Sequence, residues 1–105
     1  MRYEIILAPA AVEALRELPA HVRGRVRDAL ERPLRHEPAK VSKSRIKRLR
    51  GMSRPQYRLR VGDIRVSYDI QEITVEVLAI ISKAEAQAWL EQEGSPDPAS
   101  RPGHG

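Results

Sequence analysis

Residues 57–68 read YRLRVGDIRVSY. Apolar and polar side chains alternate on both sides of Gly62-Asp63, a dipeptide suited to a two-residue hairpin turn. That turn pairs Val61 with Ile64, Arg60 with Arg65, Leu59 with Val66, Arg58 with Ser67 and Tyr57 with Tyr68. Successive side chains of a strand point to opposite faces, so Arg58, Arg60 and Arg65 share one side of the sheet. Arg60 opposite Arg65 is a like-charge pair, destabilising by roughly a few tenths of a kcal/mol. An anion held between the guanidiniums would reverse that sign, and arginine's planar fork matches phosphate oxygens. The face is therefore read as built for a phosphate or an acidic protein.

Working outward, ITVEVLAII (73–81) supplies the next strand. A turn at Gln71-Glu72 pairs Asp69 with Thr74, Tyr68 with Val75, Ser67 with Glu76, Val66 with Val77 and Arg65 with Leu78. The core face then holds Tyr57, Leu59, Val61, Ile64, Val66, Tyr68, Ile70, Val75, Val77 and Ala79. The opposite face adds Ser67, Asp69, Thr74, Glu76 and Leu78 to the arginines. RYEIILA (2–8) alternates as a first strand, with Tyr3, Ile5 and Leu7 inward. Pro9 suits the first turn of a helix over 9–18, whose stripe is Val12, Leu15 and Leu18. Pro19 starts a second helix with Val22, Val26, Ala29 and Leu30 on one side, and the pair reads as an αα-hairpin. Pro33 and Pro38 end the helical region. Residues 39–56 read as a loop holding one short strand around Ile46 to Arg50. SKAEAQAWLEQ (82–92) carries the Ser-x-x-Glu spacing of a capping box, so a short helix starts there.

Strands after helices indicate an α+β fold. The expected form is an N-terminal strand and αα-hairpin packed on one face of a four-stranded, antiparallel-rich sheet, with a short C-terminal helix. Residues 1–91 form the single domain. The Pro/Gly/Ser-rich stretch 92–105 is expected to be a disordered tail.

The 105 residues carry a net charge of +5, and its distribution says more than its size. Between Glu37 and Asp63 there is no acidic residue, and there are nine basic ones: Lys40, Lys43, Arg45, Lys47, Arg48, Arg50, Arg54, Arg58 and Arg60. Such segregation attracts polyanions. The absence of cysteine excludes a disulfide framework and thiolate metal sites, and it fits a reducing cytoplasm. No apolar run approaches a membrane span, so no membrane association is expected, and MRYEIILAPAAVEAL makes a poor signal peptide. Metal-ligand spacings, Gly-rich phosphate loops and nucleophilic triads are missing, so neither a cofactor nor a metal is expected. Of the histidines, His21 lies on a helix, His104 in the tail, and His36 in a Pro-flanked loop from which it could approach the basic face. Glu76 is the carboxylate best placed on that face, where a salt bridge to Arg58 is its expected role. Trp89 is expected to pack the last helix onto the sheet.

Taken together, KRLRG followed by YRLRVGDIRVSYDI resembles the hallmark hairpin of the RelE/ParE toxin superfamily. LAPAAVEALRELP resembles that family's first helix, ending in Leu-Pro, and the β-α-α-β-β-β-α order matches over residues 2–91. The resemblance implies a cytoplasmic toxin of a type II toxin–antitoxin pair, neutralised in a hetero-oligomer by a small cognate antitoxin. In the RelE-like branch, the favoured one, the toxin is an endoribonuclease that cuts mRNA in the ribosomal A site and inhibits translation. The ribose 2′-OH attacks the adjacent phosphate while basic side chains of the sheet stabilise the charge. The alternative branch, ParE-like, poisons DNA gyrase, and a third reading is a degenerate toxin that only binds its antitoxin. By the resemblance, Arg65 matches the arginine that contacts the scissile phosphate, Arg58 a basic residue of the preceding strand, and Lys83 the basic segment after the last strand. Arg45, Lys47, Arg48, Arg50, Arg54 and Arg60 are assigned to RNA binding. The family's usual arginine after that lysine and tyrosine six residues later are here Ala84 and Leu90.

Overall fold

A computed structural model describes residues 1–98. Its elements in chain order are β1 (Glu4–Leu7), α1 (Pro9–Glu17), α2 (Ala20–Ala29), β2 (Ile46–Arg48), β3 (Met52–Arg54), β4 (Tyr57–Val61), β5 (Ile64–Gln71), β6 (Thr74–Ser82), α3 (Lys83–Glu93) and β7 (Ser95–Pro96). Five strands form one sheet in the order β1-β6-β5-β4-β2, and β3 and β7 form a separate two-stranded ribbon. Every pairing in the main sheet is antiparallel except β1 with β6. The short strand expected near Ile46 thus joins the predicted four as a fifth, at the edge beyond β4.

The β4–β5 hairpin has the predicted register at all five pairs. Gly62 takes φ +59 there, a left-handed conformation that glycine adopts without steric penalty. The next hairpin departs from the reading. Its closing pair is Gln71 with Thr74, so Glu72 and Ile73 form the turn, and Glu72 carries the positive φ of 55. The pairing begins Asp69 with Glu76 and Tyr68 with Val77, then slips so that Ser67 faces Ala79. Leu78 is the extra residue of this β-bulge. The slip moves Ala79 off the predicted core face and onto the side of Ser67, and puts Ile80 opposite Val66 in its place.

The core lies between the sheet and the two helices. Leu59, Val66, Tyr68, Val75 and Val77 have no exposed surface, and Ala11, Leu15, Val26, Ala29 and Leu34 meet them from the helices. The rings of Tyr57 and Tyr68 stack at 5.6 Å, and the Tyr68 hydroxyl donates to the Pro38 carbonyl at 2.6 Å. Burial pushes that phenol well above its usual range, which keeps it a neutral donor. Pro33 does not end the helical region as expected. A π-turn over Leu30–Leu34 absorbs it, and helical bonding resumes with the Glu37 N–H donating to the Pro33 carbonyl.

On the opposite face, α3 lies against β5 and β6. Ser67 and Ala79 are buried there, as is Ala86 of α3, and such small side chains permit close approach. Ser82 is the N-cap, but its hydroxyl donates to the Glu85 carboxylate at 3.1 Å and bonds no backbone N–H. The helix continues to Glu93, and Ser95-Pro96 then pair with β3. Residues 92–98 of the expected disordered tail are therefore built into the fold; residues 99–105 lie outside the described residues. Gly94 makes this corner possible. A Cβ there would stand 2.5 Å from the Leu90 carbonyl oxygen and 2.5 Å from Met52 Cε.

Gly94→Ala is expected to push β7 off β3, at a cost of about 1–3 kcal/mol for overpacking. Amide exchange would read it as lost protection at the Asp97 N–H, which donates to the Gly51 carbonyl, with core amides of β5 still protected.

Candidate functional site

At the β2–β4–β5 edge of the sheet, the register lines up cations. Lys47 pairs with Arg58 and Arg58 with Ser67; two pairs along, Arg60 faces Arg65. These strands and the preceding turn line an open cavity of about 170 Å³. Lys43, Arg45, Lys47, Arg58, Arg60 and Arg65 line it, together with Ser42, Ser44 and Ile46, and no carboxylate does. The turn is shaped by Ser42, whose hydroxyl accepts the N–H groups of Arg45 and Ile46. The Arg45 carbonyl in turn accepts the Arg60 N–H at 2.8 Å.

Two arginines define the electrostatics. Arg58 is partly buried, and that desolvation, followed by the nearby Arg65 charge, holds its guanidinium below the usual arginine range. Arg65 is fixed at the turn end, where Nη1 donates to the carbonyls of Gly62 (2.9 Å) and Ile64 (3.1 Å). Two cations held together without a counter-ion stabilise an anion placed between them, most strongly where water is excluded.

The carboxylates of this face are engaged elsewhere. Arg54 Nη1 bonds Asp69 Oδ2 at 2.9 Å and Glu76 Oε1 at 3.2 Å. Asp69 Oδ1 also accepts the Gln56 N–H at 2.7 Å. Glu76 thus bridges to Arg54, not to Arg58 as the sequence reading expected. Burial lifts the Asp69 carboxyl above its usual range despite the Gln56 and Arg54 bonds that pull it down.

Of the residues assigned from the sequence, Arg58, Arg65, Arg45, Lys47 and Arg60 converge on the cavity. Arg54 is held by Asp69 and Glu76. Arg48 is also committed to the fold: Nη1 donates to the Gln56 carbonyl at 2.7 Å, and the guanidinium lies 5.3 Å above the Tyr57 ring. Lys83 does not line the cavity; its N–H donates to the Asp63 carbonyl, which places it at the hairpin tip. Arg50 lines a neighbouring groove of about 650 Å³, walled by Val41, Leu49, Met52 and Leu90 and sharing Lys47 and Arg58 with the cavity. His36 does not approach the basic face. Its neighbour Arg35 bonds Tyr3 through both backbone and side chain, beside the opposite sheet edge. Ser42, Lys43 and Ser44 were missed as site residues; the serine three residues ahead of Arg45 is the signal for the turn that brings them in.

Among the described residues, no group of His, Cys, Asp or Glu could hold a metal, and no helix is long and apolar enough to cross a membrane. A family model described as the ParE toxin of the type II toxin–antitoxin system parDE matches residues 5–87. No curated protein sequence matches the chain. Among solved structures, the chain is similar to a chain of the toxin–antitoxin complex RelBE2 from Mycobacterium tuberculosis, with 25% identity and a TM-score of 0.65 over 78% of this chain and 99% of that one. It is similar to a chain of the archaeal RelE–RelB complex from Pyrococcus horikoshii, with 29% identity and a TM-score of 0.60 over 79% and 97%. A mutant of the E. coli toxin RelE in the free state gives 26% identity and a TM-score of 0.64 over 87% and 93%.

The Arg54 bridge has a pH signature. The folded chain binds the Asp69 proton more tightly than the unfolded chain, so ionised Asp69 costs stability near neutral pH, and that cost disappears as pH falls through its folded pKa. Arg54→Ala removes the partner of a mostly buried carboxylate and is expected to lower stability at about pH 7 by about 2 kcal/mol. Urea unfolding should show that deficit shrinking as pH falls through the folded pKa of Asp69, where the carboxyl takes up its proton. A deficit independent of pH would refute the assignment.

Proposed function

The chain belongs to the ParE toxin family of type II toxin–antitoxin systems, and on that premise we propose that it arrests growth by cutting mRNA on the ribosome. The supporting observation is the carboxylate-free cavity in which partly desolvated Arg58 stands beside Arg65. In the proposed reaction, the ribose 2′-oxygen attacks the adjacent phosphorus and the bond from phosphorus to the 5′-oxygen breaks. The products are a 2′,3′-cyclic phosphate and a 5′-hydroxyl end. Negative charge grows on the non-bridging oxygens as the fifth bond forms. Arg58 and Arg65 are the donors assigned to that charge, and Lys43, Arg45, Lys47 and Arg60 hold the flanking backbone. The 2′-OH loses a proton and the 5′-oxygen gains one. Water and the RNA itself carry these protons in this reading, so the protein's contribution is electrostatic. The reaction takes place in the cytoplasm, where ribosomes and messages are. A cognate antitoxin neutralises the toxin by laying an acidic segment over the same cations, which steers its association.

One observation favours a second reading. The cavity lining contains no histidine, carboxylate or tyrosine to act as a general acid or base, and a ParE-like gyrase inhibitor needs none.

The two readings separate on induction of the toxin without its antitoxin. For mRNA cleavage, mapped message ends multiply and plasmid supercoiling is unchanged. Arg58→Ala is expected to lower the cleavage rate about 100- to 1000-fold, as loss of one charge-stabilising donor does. Arg16→Ala, on α1 and paired with Glu13, serves as the charge-matched control with full activity. Arrest with intact messages and altered supercoiling would select the gyrase reading. A folded wild-type chain without toxicity would leave only antitoxin binding.

A further inference from the structure

At Gly62, two guanidiniums meet from opposite sides of the sheet. From the cavity side, Arg65 Nη1 donates to the Gly62 carbonyl at 2.9 Å. From the helix side, Arg25 of α2 fills the space over the Gly62 α-carbon; a Cβ there would stand 3.1 Å from Nη2 and 3.3 Å from Nη1. The missing side chain is what lets Arg25 come this close. Arg25 is exposed, and among the described residues no carboxylate pairs with it. Lys83 is exposed and donates its N–H to the Asp63 carbonyl of the same turn. The acidic side chain of the turn, Asp63, is thus outnumbered by Arg25, Arg65 and Lys83.

We infer that the phosphate-binding surface continues from the cavity over the hairpin tip onto α2, where Arg25 takes a second backbone phosphate, so that the ligand is a polynucleotide and not a nucleotide. The inference rests on the RNA reading of the cavity. Arg58 and Gly62 are four residues apart along the β4 direction, about 13 Å at ~3.3 Å per residue. A nucleic acid strand rising ~3.4 Å per nucleotide crosses that distance in about four nucleotides. A dinucleoside monophosphate carries one phosphate and cannot reach both ends. Arg60 and Arg65 stand between them, so the path is basic throughout.

The test compares two probes, a single-stranded RNA of about 16 nucleotides, long enough to fill a typical binding module, and a dinucleoside monophosphate. Affinities are measured against salt. Arg25→Ala is expected to weaken the long RNA about five- to tenfold at ~0.1 M salt, and to flatten its slope of log K against log salt by about 0.7. Binding of the dinucleoside monophosphate should not change. Arg25→Lys should restore most of the affinity for the long RNA. Thermal melting confirms that each variant folds. Unchanged long-RNA binding in a folded Arg25→Ala variant overturns the proposal. So does an equal loss for both probes, which would make Arg25 a support for the turn, and so does a wild-type chain that binds no long RNA. If Arg58→Ala leaves both probes unaffected, the phosphate reading of the cavity itself has failed. If it weakens both while Arg25→Ala weakens neither, only the extension has.

Discussion

Arg54 decides the character of this sheet face. By register, Glu4, Asp69 and Glu76 point the same way as the arginines. Glu4 is on the far edge strand, and Arg54 holds the other two. Had either carboxylate been available to Arg58 or Arg65, that guanidinium would sit in a surface ion pair worth little, with less of its charge left for an anion. Instead the negative groups are satisfied on the β6 side and the positive ones remain unmatched on the β4 side. A single guanidinium from β3 separates the face into an internally paired half and a cationic half without carboxylates. The cationic half carries the like-charge pair Arg60 and Arg65, whose repulsion a bound anion would relieve.

That polarity also bears on which chemistry the chain can run. The family model is named for ParE, and the similar solved structures are of RelE toxins, so the shared scaffold does not separate the two activities. The difference lies in what surrounds the cations. Leu90 stands in the groove beside Arg58, where the resemblance would place a tyrosine, and Ala84 is exposed with no charge to offer. An arginine pair with no histidine, carboxylate or tyrosine beside it can lower the barrier of a phosphoryl transfer by charge alone. It can equally grip a partner without any reaction.

Much of this arrangement was legible in the sequence, for identifiable reasons. The Gly62-Asp63 turn and strict alternation left one register for β4 and β5, and so placed Arg58, Arg60 and Arg65 on one face. The next strand was harder because alternation stops at Leu78-Ala79-Ile80-Ile81, an apolar run with no period to fix its faces. The bulge falls there, and a one-residue shift of the turn, which moves the pairing by two residues, went with it. The Arg54 bridge was not legible. It depends on β3, three residues in a stretch read as loop, whose ribbon partner β7 lies forty residues on. The same distance hid the order in residues 92–98. Lys83 was named for its place after the last strand, yet where α3 starts depends on a backbone bond to Asp63 that no local pattern announces.

The sheet order has a consequence for how the chain is made. β1 is synthesised first, but its one strand partner is β6, with Glu4 beside Thr74 some seventy residues later. Closing so long a loop costs entropy before any contact rewards it, so parallel pairing of this kind forms late. During translation, the αα-hairpin and the basic β2–β4 segment leave the ribosome while β6, which joins β1 to the rest of the sheet, is still inside. The nascent chain therefore presents its cations before it has a finished core. Proteolysis of ribosome-stalled chains would locate the moment, with protection of β1 expected only after Ser82 has emerged.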